Sequence, residues 1–254
     1  MTNTGVKFAS APPIDMKLER VLECPLCGKY EAEIEDSKYR IIYCDCGLVY
    51  QQFYMNEAEN RKYYERQYRL SYPLPNNYRE KRNADFLSRT GISPKRHLDV
   101  GCSAGVFMEM IHGLYGCESV GVEPDKLFRD YSISQGINVV EDISQVTGKF
   151  DFITLVHVLE HVVNPLEMLS SIWDLLEDDG LFYIEVPHRL MTASHPTMWN
   201  EVALEKILLK TNYEIIEWEK RQGTEVKSNI FWAIARKKRE RSDNNNLKGN
   251  DEDN

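Results

Sequence analysis

The sequence predicts an α/β protein: a seven-stranded doubly wound sheet with its last strand reversed, plus a small N-terminal zinc-ribbon unit. Three observations carry that expectation. From about residue 76 onward, short β-branched or apolar runs alternate with segments of helical period, the pattern of parallel strands joined by crossover helices. The last two apolar runs lie too close together for a crossover helix, so they should pair antiparallel. Four of the six cysteines fall between residues 24 and 46, a clustering that reads as metal ligation rather than a disulfide framework.

Taken in order, residues 1–20 lack periodicity, contain Pro12-Pro13 and are expected to be a flexible arm. Residues 21–50 form the ribbon. Cys24-Pro25-Leu26-Cys27-Gly28 is a metal knuckle, and Cys44-Asp45-Cys46-Gly47 is a second, with one residue fewer between its thiols. Cys24, Cys27, Cys44 and Cys46 are therefore expected to close a tetrahedral, structural Zn2+ site. A unit of this size buries too little to fold alone, and the metal would supply the missing free energy. Cys102 and Cys117 lie elsewhere, in apolar surroundings that suit small buried residues.

Residues 51–75 are expected to be a helical linker or lid, broken by Pro73 and Pro75. Its tyrosines, Tyr63, Tyr64, Tyr68 and Tyr72, with Tyr78 beyond, either pack a helix or wall a pocket. In the main domain, residues 76–236, strands are predicted at Arg96–Val100, Ser119–Val122, Asn138–Val140, Phe150–Val156, Leu181–Val186, Glu214–Trp218 and Ile230–Ala235. Helices are predicted at Tyr78–Thr90, Ala104–Leu114, Lys126–Ser134, Pro165–Leu176 and Val202–Thr211. Residues 237–254 are polar and low in complexity, a disordered tail.

Composition excludes several classes. No apolar run reaches membrane-spanning length, and the N-terminus lacks a secretory apolar core, so a cytoplasmic location is expected. A net charge of −9 disfavours a generic phosphate-backbone binder, so nucleic acid is not the expected partner. The tail is close to neutral, which places the acidity in the folded part.

The stretch Asp99-Val100-Gly101-Cys102-Ser103-Ala104-Gly105 carries the most information. An apolar strand runs into a turn of small residues and then directly into a helix, so that a cofactor can approach the backbone and the helix N-terminus. Glu123 ends the next strand, placed to hold ribose hydroxyls. A nicotinamide enzyme would show Gly-x-Gly-x-x-Gly instead.

These residues resemble the first motif of the Rossmann-like, class I S-adenosylmethionine-dependent methyltransferases, with Ser103 in place of the middle glycine. The resemblance spans about residues 76–236. It implies that Asp99, Gly101, Cys102, Ser103, Gly105, Glu123, Asp142 and His157 line the cofactor, with Glu123 on the ribose and the Glu141-Asp142 pair beside the adenine. It also implies a reversed final strand. The N-terminal cysteines resemble the zinc ribbon fused to many bacterial methyltransferases, including ones acting on sugar intermediates.

The segment His157-Val158-Leu159-Glu160-His161 follows the fourth strand at the ligand-binding edge of the sheet. If it is one helical turn, His157 and His161 share a face with Glu160 close by. It resembles His-x-x-Glu-His in bacterial methyltransferases and Glu-x-x-Glu-His in metal-dependent O-methyltransferases. Three readings stay open: local packing and capping, acid/base work by His157, Glu160 and His161, or a second divalent metal at these three residues. His195 and His188 are expected to rim the same pocket, with His195 a further candidate base or acceptor contact.

The functional expectation is O-methylation of a small hydroxylated acceptor, such as a sugar or glycan intermediate, with histidine-assisted deprotonation. C-methylation of a nucleotide sugar, methylation of RNA, and cofactor binding without turnover are the alternatives.

Overall fold

The computed structural model describes residues 7–8, 17–30, 41–63, 78–88, 90–188, 190–191, 194–222 and 229–239. Tyr64, Tyr68 and Tyr72, most of the arm and the tail from residue 240 lie outside them.

The main sheet has seven strands: β6 (Arg96–Val100), β7 (Glu118–Val122), β8 (Val139–Val140), β9 (Phe150–Val156), β10 (Leu176–His188), β13 (Tyr213–Gln222) and β14 (Asn229–Lys237). Their spatial order is β13-β14-β10-β9-β6-β7-β8. β14 runs antiparallel to both neighbours, and the pairs among β8, β7, β6, β9 and β10 are parallel. The doubly wound sheet with one reversed strand is thus as the alternation predicted.

Period-two alternation gives each strand two buried faces. Phe182, Ile184 and Val186 of β10 join one apolar cluster, and Tyr183 joins the other. Helices α5 (Pro165–Leu175) and α6 (Glu201–Lys210) cover the first face. Helices α2 (Tyr78–Leu87) and α3 (Val106–Tyr115) cover the second, and α4 (Lys126–Ser134) connects β7 to β8. Asp125 starts α4 by accepting the Leu127 and Phe128 amides, and Pro165 opens α5 at the position where a missing N–H costs least.

The ribbon is larger than its cysteines suggested. Besides β3 (Ile41–Tyr43) and β4 (Val49–Gln51), which bracket the second knuckle, β2 (Leu18–Arg20) pairs with β5 (Phe53–Met55). The expected arm therefore ends in a strand, and the expected linker begins as one before helix α1 (Glu57–Tyr63). Farther out, β1 (Lys7–Phe8) pairs with β11 (Leu190–Met191). The ribbon also shares its core with the main sheet: Leu26, Ile42, Leu48 and Tyr50 pack in one cluster with Trp199, Leu204, Ile207 and Phe182. Strand β12 (Thr197–Met198) pairs directly with β4.

Candidate active site

The glycine loop forms as the spacing requires. Gly101, Ser103 and Gly105 have φ of 80°, 50° and 77°. At Gly101 there is a second constraint, because a Cβ there would meet Val158 Cγ2 at 2.3 Å. Ser103 is not a glycine, so its left-handed backbone costs about 1 kcal/mol. Its neighbours offset that: the Ser103 amide donates to Glu123 Oε2 at 2.8 Å, and its carbonyl accepts from Ser132 Oγ at 3.1 Å. The Gly101 and Cys102 amides both donate to the Val122 carbonyl, at 2.8 and 3.1 Å. The loop is thereby stitched to the end of β7, where Glu123 begins. The buried Cys102 side chain packs against Gly121 and Met108.

Glu123 is 8% exposed. Burial pushes its carboxyl up to about 7, against the pull of the Asp125 and Ser103 amides. Each of its oxygens holds one amide proton, from Asp125 at 2.8 Å and Ser103 at 2.8 Å. A carboxylate oxygen accepts more than one proton, so both retain capacity for a vicinal diol. Asp142 accepts from the Ser144 amide and hydroxyl at 2.9 and 2.6 Å, capping the short turn after β8.

Asp99 sits on the buried face of β6. Its Oδ1 accepts from Thr154 Oγ1 at 2.7 Å, and Thr154 Oγ1 lies 2.8 Å from His97 Nε2. Since the threonine proton points at Asp99, His97 donates from Nε2, and its Nδ1 accepts from Ser119 Oγ at 3.2 Å. Burial drops the His97 imidazole to about 3, so it stays neutral in this role.

The His-Glu-His segment is not one helical turn. His157 is left-handed, with φ 56°, and a 3-10 turn covers only Leu159–His161. His157 Nδ1 and His161 Nε2 nonetheless both approach Glu160 Oε1, at 3.3 and 3.9 Å. The His157 amide still donates to the Glu185 carbonyl at 2.9 Å, which prolongs the β9–β10 ladder. Its ring lies between two buried carboxylates: Nε2 is 3.0 Å from Glu185 Oε1, and Nδ1 is 3.3 Å from Glu160 Oε1. Burial alone would lower the His157 imidazole, but hydrogen bonds to Glu160 and Glu185 and their charges raise it above the ordinary value. Glu160 is its counterpart. Burial raises its carboxyl, but the His157 hydrogen bond and the His161, His157 and His195 charges hold it at about 2.

His161 differs from His157 in its second partner. Its Nδ1 lies 2.9 Å from the Ser194 carbonyl, which can only accept, so Nδ1 carries the proton and Nε2 keeps its lone pair. The His161 and His195 rings meet edge to face at 4.5 Å. Glu160, His161 and His195 each offer one ligand atom, all within 4.8 Å of one another. The metal trio expected from sequence thus changes membership: His157 is held by Glu160 and Glu185, and His195 takes its place. His188 ends β10 at the register of Asn229.

The four ribbon cysteines converge. Cys24 and Cys46 Sγ are 3.6 Å apart, Cys27 and Cys44 Sγ are 3.5 Å apart, and all four lie within 4.8 Å. Tetrahedral zinc thiolates, with bonds of about 2.3 Å, stand roughly 3.8 Å apart, so the donor set fits. The short second knuckle closes by Gly47 N–H donating to the Cys44 carbonyl at 2.8 Å and Cys44 N–H donating to the Leu48 carbonyl at 3.0 Å. Burial pushes the Cys24 thiol up to about 12, a cost that a bound cation reverses.

The family described as "Methyltransferase domain" matches residues 76–218, more than half of the chain. The chain belongs to that family. The chain has the fold of the Rossmann-like S-adenosylmethionine-dependent methyltransferases. It is 36% identical over 118 residues to the ubiquinone biosynthesis O-methyltransferase of Glaesserella parasuis, covering 41% of this chain and 50% of that one. Against the protein of the same name from Haemophilus ducreyi it is 29% identical over 139 residues, covering 49% and 58%. The chain thus spans about half the length of the curated relatives it matches. Among solved structures it resembles the 1,6-didemethyltoxoflavin-N1-methyltransferase of Burkholderia thailandensis, with a TM-score of 0.60, 16% identity, and coverage of 78% of this chain and 99% of that one. The magnesium protoporphyrin IX methyltransferase of Synechocystis gives a TM-score of 0.55 at 14% identity, covering 70% and 99%.

The expected cofactor residues lie along the carboxyl ends of four neighbouring strands: Asp99 and the loop Gly101–Gly105 at β6, Glu123 after β7, Asp142 after β8 and His157 after β9. Sequence reading missed Glu185, Thr154, His97 and Gln51. Thr154 and Glu185 interrupt the runs Phe152–Val156 and Leu181–Val186, and that anomaly is their signal, whereas His97 stands between Arg96 and Leu98 in a strand that also holds Asp99. Gln51 carries none, because its partner lies 144 residues away.

Proposed function

We propose that this methyltransferase transfers a methyl group to a hydroxyl oxygen of a small acceptor, with His161 Nε2 taking the proton. The observation that carries the reading is the division of labour between the histidines. His157 is clamped by Glu160 and Glu185 at both ring nitrogens. His161 donates from Nδ1 to the Ser194 carbonyl at 2.9 Å, and its Nε2 lies at the longer distance of 3.9 Å from Glu160 Oε1, beside His195. Bound S-adenosylmethionine supplies an electrophilic methyl group. Glu123 holds its ribose hydroxyls, the loop Gly101–Gly105 admits it against the backbone, and Asp142 stands on the adenine side. The acceptor oxygen would take the methyl group as the methyl carbon–sulfur bond breaks and its electron pair goes to the sulfur of the departing S-adenosylhomocysteine, while the hydroxyl proton passes to His161, which returns it to solvent.

The acceptor is better matched to a phenol-like hydroxyl than to a sugar. A histidine base takes a proton more readily from a phenol, at about 10, than from an alkyl hydroxyl, whose value lies near that of water, about 15.7. The names of the matched relatives, ubiquinone biosynthesis O-methyltransferases, support the same direction and lend no support to a sugar or glycan. C-methylation of a nucleotide sugar is not favoured either. The four ribbon thiolates are assigned a structural zinc ion.

One observation favours a second reading of the same residues, a divalent cation held by Glu160, His161 and His195. Glu160 Oε2 is buried with no hydrogen-bond partner among the described residues, and an ion would satisfy it. The full-length enzyme with its zinc, given labelled S-adenosylmethionine and a panel of phenols, catechols and sugars, with and without added Mg2+, tests both. O-methylated phenolic product that disappears in His161→Ala supports the first reading. Activity that requires Mg2+ supports the second, and methyl transfer to carbon or nitrogen alone overturns both.

A further inference from the structure

We infer that the cysteine-held ribbon positions His195, and that Gln51 is the positioning residue joining the two, so that filling of the thiolate centre sets the acceptor side of the pocket. The kinetic consequence rests on the methyl-transfer reading above; the structural one does not.

His195 lies in the stretch 194–199, whose only regular element is β12. Two sides hold that stretch. From the turn after β9, His161 Nδ1 donates to the Ser194 carbonyl at 2.9 Å, and Thr197 Oγ1 lies 3.4 Å from the Leu159 and Glu160 carbonyls. From the ribbon, the Gln51 amide donates to the Pro196 carbonyl at 2.9 Å, and Gln51 Nε2 donates to the His195 carbonyl at 3.0 Å. Next to these, Thr197 pairs with Tyr50 and Met198 with Val49. Gln51 is 2% exposed, so its amide is spent on this contact and not on water. A buried carbonyl deprived of such a donor is left with an uncompensated desolvation cost.

Gln51 follows the second knuckle through one short strand, and the knuckles themselves are fastened to α6. Asn200 Nδ2 donates to the Gly47 carbonyl at 2.8 Å, Lys206 Nζ to the Cys46 carbonyl at 2.9 Å, and Lys210 Nζ to the Leu26 carbonyl at 2.8 Å. Gly47 permits this approach, since a Cβ there would lie 3.2 Å from Asn200 Oδ1 and Val202. A divalent ion with four thiolates carries a net charge near −2, and the two ammonium groups answer it. Without the ion, four thiols, three of them buried, hold the knuckles poorly, and β4 loses the anchor that fixes Gln51. The cofactor residues depend on other bonds, those joining the loop Gly101–Ser103 to Val122 and Glu123.

The test uses the full chain in three forms: zinc-loaded, zinc-stripped, and zinc-loaded Gln51→Leu. Imidazole Cε1–H resonances, assigned by single histidine substitutions, report His161 and His195. Calorimetry reports S-adenosylmethionine affinity, and elemental analysis reports zinc. Gln51→Leu is expected to keep its zinc and its cofactor dissociation constant within about twofold, to shift or broaden the His195 and His161 signals, and to lower kcat by about tenfold or more, as misplaced catalytic groups do. Zinc removal should move the same signals. Unmoved imidazole signals in Gln51→Leu overturn the inference, as does a loss of cofactor affinity that parallels the imidazole shift. If the wild type methylates no acceptor, the functional reading fails while the resonances still decide this one.

Discussion

His157 Nε2 stands 3.0 Å from Glu185 Oε1; the His157 side chain is 20% exposed, whereas Glu185 is fully buried and its other oxygen accepts from Tyr183 O–H at 3.0 Å. The pH dependence follows from the direction of the shifts. His157 is raised in the folded chain, so its contribution is complete below the unfolded value of about 6.5 and is lost as pH rises through the folded value. Glu160 is lowered to about 2, so its contribution is complete above about 4.5 and is lost as pH falls toward 2. Glu185→Gln is expected to destabilise by about 1.5–3 kcal/mol near pH 6, the worth of a hydrogen bond to a charged group. At pH 9 the penalty should shrink or reverse, because the wild type then buries a carboxylate beside a neutral ring. Urea midpoints across pH 5–9 measure this, and a penalty independent of pH would contradict the ion pair.

Glu123 gives a second pH prediction. With its carboxyl raised to about 7 in the free protein, half of the molecules at that pH carry a proton where a ribose hydroxyl must donate. Cofactor affinity should be greatest above pH 7 and should fall by up to tenfold per unit below it. Glu123→Gln, which removes the charge and keeps the shape, should weaken binding by about 1.5–3 kcal/mol, tens- to over a hundredfold. It should also flatten the pH dependence. Titration calorimetry from pH 5.5 to 8.5 reads both, and a wild-type affinity constant across that range would rule out this role for Glu123.

How much of this was legible in the chain varies by element. Strands Arg96–Val100 and Phe150–Val156 and helix Lys126–Ser134 match their predicted bounds, because apolar runs, a capping Asp125 and flanking turns all act locally. The cofactor loop was readable for the same reason: Gly101, Gly105 and Glu123 lie on one strand-turn-helix-strand unit. The conformation of His157 was not. Its left-handed φ accompanies a ladder bond from its amide to the Glu185 carbonyl, a partner 28 residues away that periodicity cannot see. β10 likewise begins at Leu176 rather than Leu181, because its first residue pairs with Phe150 before a register shift. The docking of β4 on β12 had no local signal at all.

The assignment of roles among the histidines predicts different kinetic phenotypes. His161→Ala should lower kcat by about 10²–10⁴-fold, the usual worth of a positioned base, with cofactor affinity unchanged. His195→Ala should reduce turnover less, since its ring supports His161 from 4.5 Å. His157→Ala should mainly cost stability, because it strands Glu160 and Glu185 as buried charges, at about 3–5 kcal/mol. Steady-state kinetics beside thermal melts separates the cases. A His157→Ala protein that melts like the wild type but does not turn over would transfer the base role to His157.

Gly101 is constrained twice, and the two constraints can be separated. A Cβ at this position meets Val158 Cγ2 at 2.3 Å and must also adopt φ 80°. Gly101→Ala should therefore cost the backbone strain of about 1–2 kcal/mol plus an overpacking penalty of about 1–3 kcal/mol, and it should displace Val158 from beside His157. Adding Val158→Ala removes the collision and leaves the strain. The double variant is expected to recover part of the stability lost in Gly101→Ala, a non-additivity that a double-mutant cycle by urea denaturation measures directly. Additive penalties would mean that Val158 moves aside freely, and that the backbone conformation alone requires glycine where the cofactor loop leaves the first strand of the sheet.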